Sequence, residues 1–288
     1  HPEPQPCQTL DTIGRMPMEG DPGLPALKEG YVQVGTLGGG NHFIELQEDE
    51  HGCLGIMVHS GSRNFGYKVA GYFNKRAKEL NRKMNSPVPP EYDLAHLPIE
   101  HELGQAYIKW MNLALDFARE NRAVMLRKTK EIVFRIIRKD LGFKDIAVKM
   151  EVNAHHNYAA REKHFGEMVW VHRKGAIRAC RGELGIVPGA MGSYSYIVEG
   201  LGNEEAFSSC SHGAGRVMGR REAVRQFTPE EVEEDLACQG VLAFGRRTRR
   251  EVPEEYRKAY KDIDEVMQNS LDLVKPILKL RTLAVVKG

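Results

Sequence analysis

The sequence lacks cysteine pairs spaced C-x-x-C, lacks an apolar run long enough to cross a membrane, and lacks a strong charge of either sign. Each absence removes a class of protein. The five scattered cysteines, Cys7, Cys53, Cys180, Cys210 and Cys238, make neither a disulfide framework nor a zinc knuckle, and they suit a reducing, cytoplasmic setting. The opening HPEPQPCQTL has no basic-then-apolar leader. A net charge of +2 does not mark a general nucleic-acid binder. The H-x-x-x-H spacing of helical metalloprotease sites is missing. The glycine run GTLGGGNHFIEL at 35–46 starts like a phosphate loop but leads into Asn41-His42 instead of Gly-Lys-Ser/Thr.

What is there is ordinary in bulk. A chain of 288 residues with 41% hydrophobic and 28% charged residues can bury one large core or two small ones. Arginine is locally dense in GRVMGRREAVR (215–225) and GRRTRRE (245–251), either to meet phosphates or as a solvated face. The chain starts at His1, not Met, which is expected of a processed terminus or of a piece of a longer protein.

Residues 1–29, rich in Pro, Gly and acidic side chains, read as an irregular lead-in. YVQVG, FIELQ and LGIMVHS have the β-branched and aromatic content of strands, and 66–84 has helical spacing. The three- and four-residue repeat over 100–140 predicts a long helix ending at Gly142. Its Leu103, Tyr107, Trp110, Met111, Leu115 and Phe117 are expected in a core. DIAVKMEV, EMVWVH, GIVPG and SYIVEG read as strands. Short helices are expected around 213–226, 228–238 and 262–274, and KLRTLAVVKG reads as a last strand. Without a regular βαβ beat, the class is α+β.

Of the 11 histidines, several sit where strand-like runs meet turn formers: His42, His59, the pair His155-His156, and His212. Any one alone reads as well as a hydrogen-bonded structural residue. Together, beside Gly, Ser and Asn, they point to strand ends converging on a metal that favours imidazole. His212 differs. SCSHGAGRVMGRRE places it just before an expected helix start, whose free N–H groups would hold an anion, with Arg216 and Arg220 four apart on one helical face. That combination suggests phosphate chemistry with an imidazole nucleophile or acid–base.

The motifs GTLGGGNHFIE, VHSGSRNFG, AHHNYA, HRKGAIRA, PGAMGSYSYIV, SHGAGR and the terminal AVVKG, in this order, resemble the RNA-splicing ligase RtcB family over residues 30–288. The resemblance implies an RtcB-like α+β catalytic domain around a central metal and nucleotide cleft. It implies sealing of RNA 3′-phosphate or 2′,3′-cyclic phosphate ends to 5′-hydroxyl ends with GTP and two Mn²⁺ ions, as in tRNA splicing and RNA repair. It implies His42, His59 and His156 as metal ligands and His212 as the guanylylated nucleophile. Asn41, Phe43, Glu45, Ser195, Ala214, Tyr260 and Lys287 would hold the nucleotide, and Arg63 and Arg220 would meet RNA phosphates. His156 is taken from the pair because the family's ligand directly precedes the Asn.

Two departures stand out. Ala190 replaces the Ser common in the family's PGSMG, which removes one hydrogen bond of roughly 0.5–1.5 kcal/mol. The family's Asp-x-x-Cys-Gly segment, whose Asp and Cys bind metal, does not occur, which makes the chain N-terminally truncated relative to the family pattern. The expectation is therefore a ligase, with two rivals: a metal-dependent cyclic phosphoesterase, and a non-catalytic RNA-end or nucleotide-binding fragment. An activating partner such as archease is a further implication of the family.

Overall fold

A computed structural model describes residues 3–13, 26–245 and 249–288. The chain divides into two compact units, His1–Gly38 with Ser60–Lys128, and Gly39–His59 with Thr129–Gly288. The α+β class expected from the sequence is what the structure has.

The first unit is helical: α1 (Gln8–Ile13), α2 (Ala26–Gln33), α3 (Arg63–Lys83) and the N-terminal part of α4 (Glu102–Asp140). The long helix expected over 100–140 is present. Its Trp110, Met111 and Phe117 are buried as expected, while Leu103, Tyr107 and Leu115 are only half-buried. Trp110 and Phe117 pack with Phe65, Val69 and Phe73 of α3 at helical spacing, and with Cys7, Leu10 and Val34. The Glu120 carboxylate accepts from the N–H groups of Gln8 and Thr9, which caps the start of α1 with an anion. Burial works to raise the Glu120 carboxyl, but these bonds outweigh it and hold it below its ordinary range.

Two expectations fail in or near this unit. The lead-in 1–29 contains α1 and the start of α2. YVQVG is not a strand: Tyr31–Gln33 end α2, and Val34 is fully buried in the helical core. Gly30 explains the choice, since a Cβ there would lie 2.7 Å from Leu10 Cδ1. Helix packing overrides the β preference of the two valines.

The second unit is built on a sheet. In chain order it has β1 (Phe43–Asp49), β2 (Leu54–His59), β3 (Asn157–His164), β4 (Glu167–Lys174), β5 (Ala176–Arg178), β6 (Leu184–Val187), β7 (Ser195–Gly200) and β8 (Ser209–Ser211). Then come α5 (Arg220–Gln226), α6 (Pro229–Cys238), β9 (Leu242–Gly245), α7 (Ile263–Gln268) and β10 (Val274–Lys287). The main sheet runs β2-β1-β10-β7-β6, antiparallel throughout, with β9 added parallel to β10. Its apolar residues pack as Phe43, Met57, Leu280 and Val285 against Val232 and Leu236 of α6. A Thr228–Glu231 capping box starts that helix.

DIAVKMEV (145–152) has no regular structure, and Val148 and Met150 are exposed; among the described residues no strand pairs with it. Conversely, NYAAREKH was not expected as a strand, yet it forms β3, turning into β4 through Phe165 and Gly166, both at positive φ. This hairpin buries Arg173, which grips Glu162 with two bonds of 2.6 and 2.8 Å.

Asn121 in α4 is fully buried. Its Oδ1 accepts from the N–H groups of Gly35 (2.7 Å) and Thr36 (3.2 Å), and its amide donates to Ser60 Oγ and the Gly61 carbonyl, each at 3.1 Å. One side chain thus ties the two segments that run on in sequence to His42 and back from His59. Replacing it by Ala strands several buried polar groups, and should lower unfolding stability by about 2–4 kcal/mol in a urea titration.

Candidate nucleotide and metal site

The site is assembled by strand register. In β2, β1 and β10, His59 pairs with Phe43, and Phe43 pairs with Lys287. Opposed residues share a face, so these three side chains form one row across the sheet. The ring centroids of Phe43 and His59 lie 5.2 Å apart, and the Lys287 ammonium stands 4.9 Å from the Phe43 ring centre. His42 joins from the turn before β1, where Gly38 and Gly40 take positive φ of 79° and 83°. Its ring is 5.7 Å from that of His59. His156, just ahead of β3, lies 5.3 Å from His59, and His212, just after β8, stacks on His156 at 4.9 Å and 15°. All four imidazoles are half-buried.

Burial and the neighbouring charges of His156, His42 and Lys287 push His59 down to about 3, so it is a neutral nitrogen donor. His212 is also lowered by burial, partly offset by a backbone hydrogen bond to Gly175. Imidazoles from separate strand ends have the donor chemistry for a transition-metal ion. Among the described residues, no group of three His, Cys, Asp or Glu stands as a ready-made ligand set. His42, His59 and His156 are brought together, as the sequence suggested.

Below the Phe43 row the same face of β1 carries Glu45 and Gln47, both buried. Gln47 donates to Glu45 Oε2 at 2.8 Å and to Ser195 Oγ at 3.1 Å. Ser195 Oγ also accepts from Gly189 N at 3.3 Å. Burial raises the Glu45 carboxyl to about 7, against the pull of Lys287, Gln47 and Thr282. Ala190, which follows Gly189, is buried. Tyr260 donates to Glu255 at 2.9 Å and accepts from Arg216 at 2.8 Å, while Lys287 reaches the same Glu255 at 3.4 Å.

Other expectations need correction. His212 does not precede a helix: α5 begins only at Arg220. Residues 215–217 instead pair their backbone with 259–261, through Lys261 N to Gly215 O and Val217 N to Ala259 O. The anion cradle therefore does not form, and Arg216 and Arg220 share no helical face. Ala214 is buried and its N–H already donates to the Pro188 carbonyl, so only its carbonyl remains to offer. Arg220 is exposed at the head of α5, 4.0 Å from Glu254. Asn41 is half-buried in the turn before β1. Arg63 belongs to the first unit, where its guanidinium occupies the space a Cβ on Gly38 would take. In GRRTRRE, residues 246–248 lie outside the described residues.

Sequence reasoning missed Gln47 and Glu255. The first was within reach, being two residues beyond Glu45 and so on the same strand face. Glu255 ends an irregular 3-10 turn, Arg249–Glu255, and carries no sequence signal.

A family model described as tRNA-splicing ligase RtcB matches residues 8–288. Among curated proteins, the RNA-splicing ligase RtcB of Escherichia coli (strain K12) is 43% identical over 259 residues, covering 90% of this chain and 62% of that protein. The tRNA-splicing ligase RtcB of Pyrobaculum aerophilum is 30% identical over 303 residues, covering 91% of this chain and 61% of that protein. The RNA-splicing ligase RtcB of Mycobacterium tuberculosis is 32% identical over 296 residues, with 91% and 66% covered. The chain thus spans less than two thirds of the length of these relatives. On the match over residues 8–288 and these identities, the chain belongs to the RtcB family of RNA-splicing ligases.

Proposed function

We propose that this chain carries the nucleotide-transfer and imidazole-metal part of a GTP-dependent RNA ligase. It would join RNA 3′-phosphate or 2′,3′-cyclic phosphate ends to 5′-hydroxyl ends, as in tRNA splicing. The observation that carries the reading is the stack of His212 on His156, which puts a candidate nucleophile against the imidazole cluster.

In this reading His42, His59 and His156 hold Mn²⁺, which supplies Lewis-acid polarisation of phosphoryl oxygens when bound. His212, kept neutral by burial, is the nucleophile. One ring nitrogen of His212 bonds the Gly175 backbone, and in this reading the lone pair on the other attacks the α-phosphorus of GTP and expels pyrophosphate. The guanylate is then handed to the RNA 3′-phosphate, which converts a poor electrophile into an activated one that the 5′-hydroxyl can attack. Phe43 offers a stacking face for the base, Glu45 an acceptor for base N–H groups, and Lys287 a donor for a base oxygen. Ser195, Asn41, Tyr260 and the Ala214 carbonyl complete the pocket. Arg63 and Arg220 meet RNA phosphates.

A binding-fragment reading has one observation in its favour, the lack of a ready three-ligand set among the described residues. The two separate on incubation with α-labelled GTP and Mn²⁺. The ligase reading expects label on the wild-type chain, lost in mild acid and kept in alkali, and none on His212→Ala, with the metal content of both chains equal. A wild-type chain that binds GTP and never takes label supports the fragment reading.

Glu45 adds a pH signature. If its carboxylate accepts from the base, GTP affinity falls on the acid side of about 7, by up to about tenfold per pH unit. Titrations between pH 6 and 8 should show that component in the wild type and not in Glu45→Gln, whose affinity is lower at pH 8. Parallel pH profiles for the two proteins would remove Glu45 from the base contact.

A further inference from the structure

Glu255 is buried, with 5% of its surface exposed, at the end of the 3-10 turn Arg249–Glu255. Its Oε2 accepts from two residues of the proposed nucleotide pocket that arrive from different parts of the chain, Tyr260 Oη at 2.9 Å and Lys287 Nζ at 3.4 Å. We propose that Glu255 is a positioning residue of that pocket, whose carboxylate sets the direction of the Lys287 ammonium and of the Tyr260 phenol. The inference rests on the nucleotide-pocket reading given above.

Hydrogen-bond polarity supports it. Arg216 can only donate, and its Nη1 lies 2.8 Å from Tyr260 Oη, with the guanidinium 4.6 Å over the ring. The phenol must therefore accept from Arg216 and give its own proton to Glu255. Burial, together with the charge of Glu255, raises the Tyr260 phenol, so that proton stays in place. Lys287 is held from two sides, by the Phe43 ring face at 4.9 Å and by the carboxylate. Its side chain is 10% exposed and that of Glu255 is 7%. A pair buried to this degree adds little net stability, because losing hydration offsets the attraction. Orientation is what it supplies. Both residues line a cavity of about 270 Å³ whose other walls include Glu233, Met191, Leu236, Val241 and Phe244. A buried ammonium beside apolar walls would turn toward water unless a fixed anion held it.

The test is a double-mutant cycle on GTP affinity, measured by calorimetry with MnCl₂ present on the full chain, for the wild type, Glu255→Gln, Lys287→Met and the double variant. The expected result is a loss of about tenfold for Glu255→Gln, partial recovery in Glu255→Asp, and a double variant no weaker than Lys287→Met alone. Independent, multiplying losses overturn the inference, and so does unchanged affinity in Glu255→Gln. If circular dichroism shows that Glu255→Gln does not fold, the cycle of Glu255→Asp with Tyr260→Phe replaces it, with the same expectation of non-additivity. A wild-type chain with no GTP affinity overturns the pocket reading itself, whereas wild-type binding with additive losses overturns the role of Glu255 alone.

Discussion

The pairing of β10 with β1 is the constraint on which the candidate site depends. It joins the last of the described strands to the first, opposing Lys287 to Phe43, while β2 opposes His59 to the same phenylalanine. Side chains alternate faces with a period of two, so a slip of one residue would turn Phe43, Glu45 and Gln47 to the opposite face together. The ladder is not uniform. A register shift after Leu46 brings Thr282 opposite Gln47 while Ala284 stays opposite Leu46. That bulge keeps the Thr282 hydroxyl against Glu45 Oε2, at 3.4 Å, although Lys287 must face the same way further along the strand. Without it, the upper and lower parts of the pocket could not both be drawn from one strand.

The same burial that holds this sheet together sets its electrostatics. Taking His59 out of water beside two other imidazoles and an ammonium makes protonation unfavourable, which leaves nitrogen lone pairs available. Taking Glu45 out of water works the other way, favouring the neutral acid, and the donors around it bring it back only to about 7. Burial on one sheet face therefore produces a neutral imidazole at His59 and, further along β1, a carboxyl near its titration point at Glu45. Neither state would persist on a solvated strand.

How legible this was varies with the physics behind each element. The helix α4 could be read because its apolar spacing is long and regular, and the strands of the main sheet because their β-branched residues sit between turn formers. YVQVG misled because the contact that decides it, Gly30 against Leu10, joins residues far apart in sequence. DIAVKMEV has strand-like composition but, among the described strands, nothing to pair with. NYAAREKH has poor strand composition, and forms one because the Phe165-Gly166 turn brings β4 alongside it. The histidines could be read as a set because each marks the end of a strand or turn. Their nearness to one another, at 4.9–5.7 Å between successive rings, is a property of tertiary structure that no spacing in the sequence encodes.

The segment after His212 shows why the missed features matter for the chemistry. A helix starting at Gly213 would have curled residues 213–216 onto themselves and turned Arg216 along the helix axis. The observed backbone pairing with 259–261 fixes this segment, and it delivers the Arg216 guanidinium to Tyr260 Oη and to the Glu254 carbonyl, at 2.8 and 2.7 Å. The loop bearing the candidate nucleophile and the loop bearing the pocket phenol are thereby one hydrogen-bonded unit, further fixed by Ala214 N–H on the Pro188 carbonyl. Gly215 of SHGAGR turns the chain at a φ of 73° just before this pairing and does not serve a helix cap. In the proposed reading, an imidazole nucleophile gains more from such a path than from a helix dipole, because attack requires a fixed position more than an added partial charge.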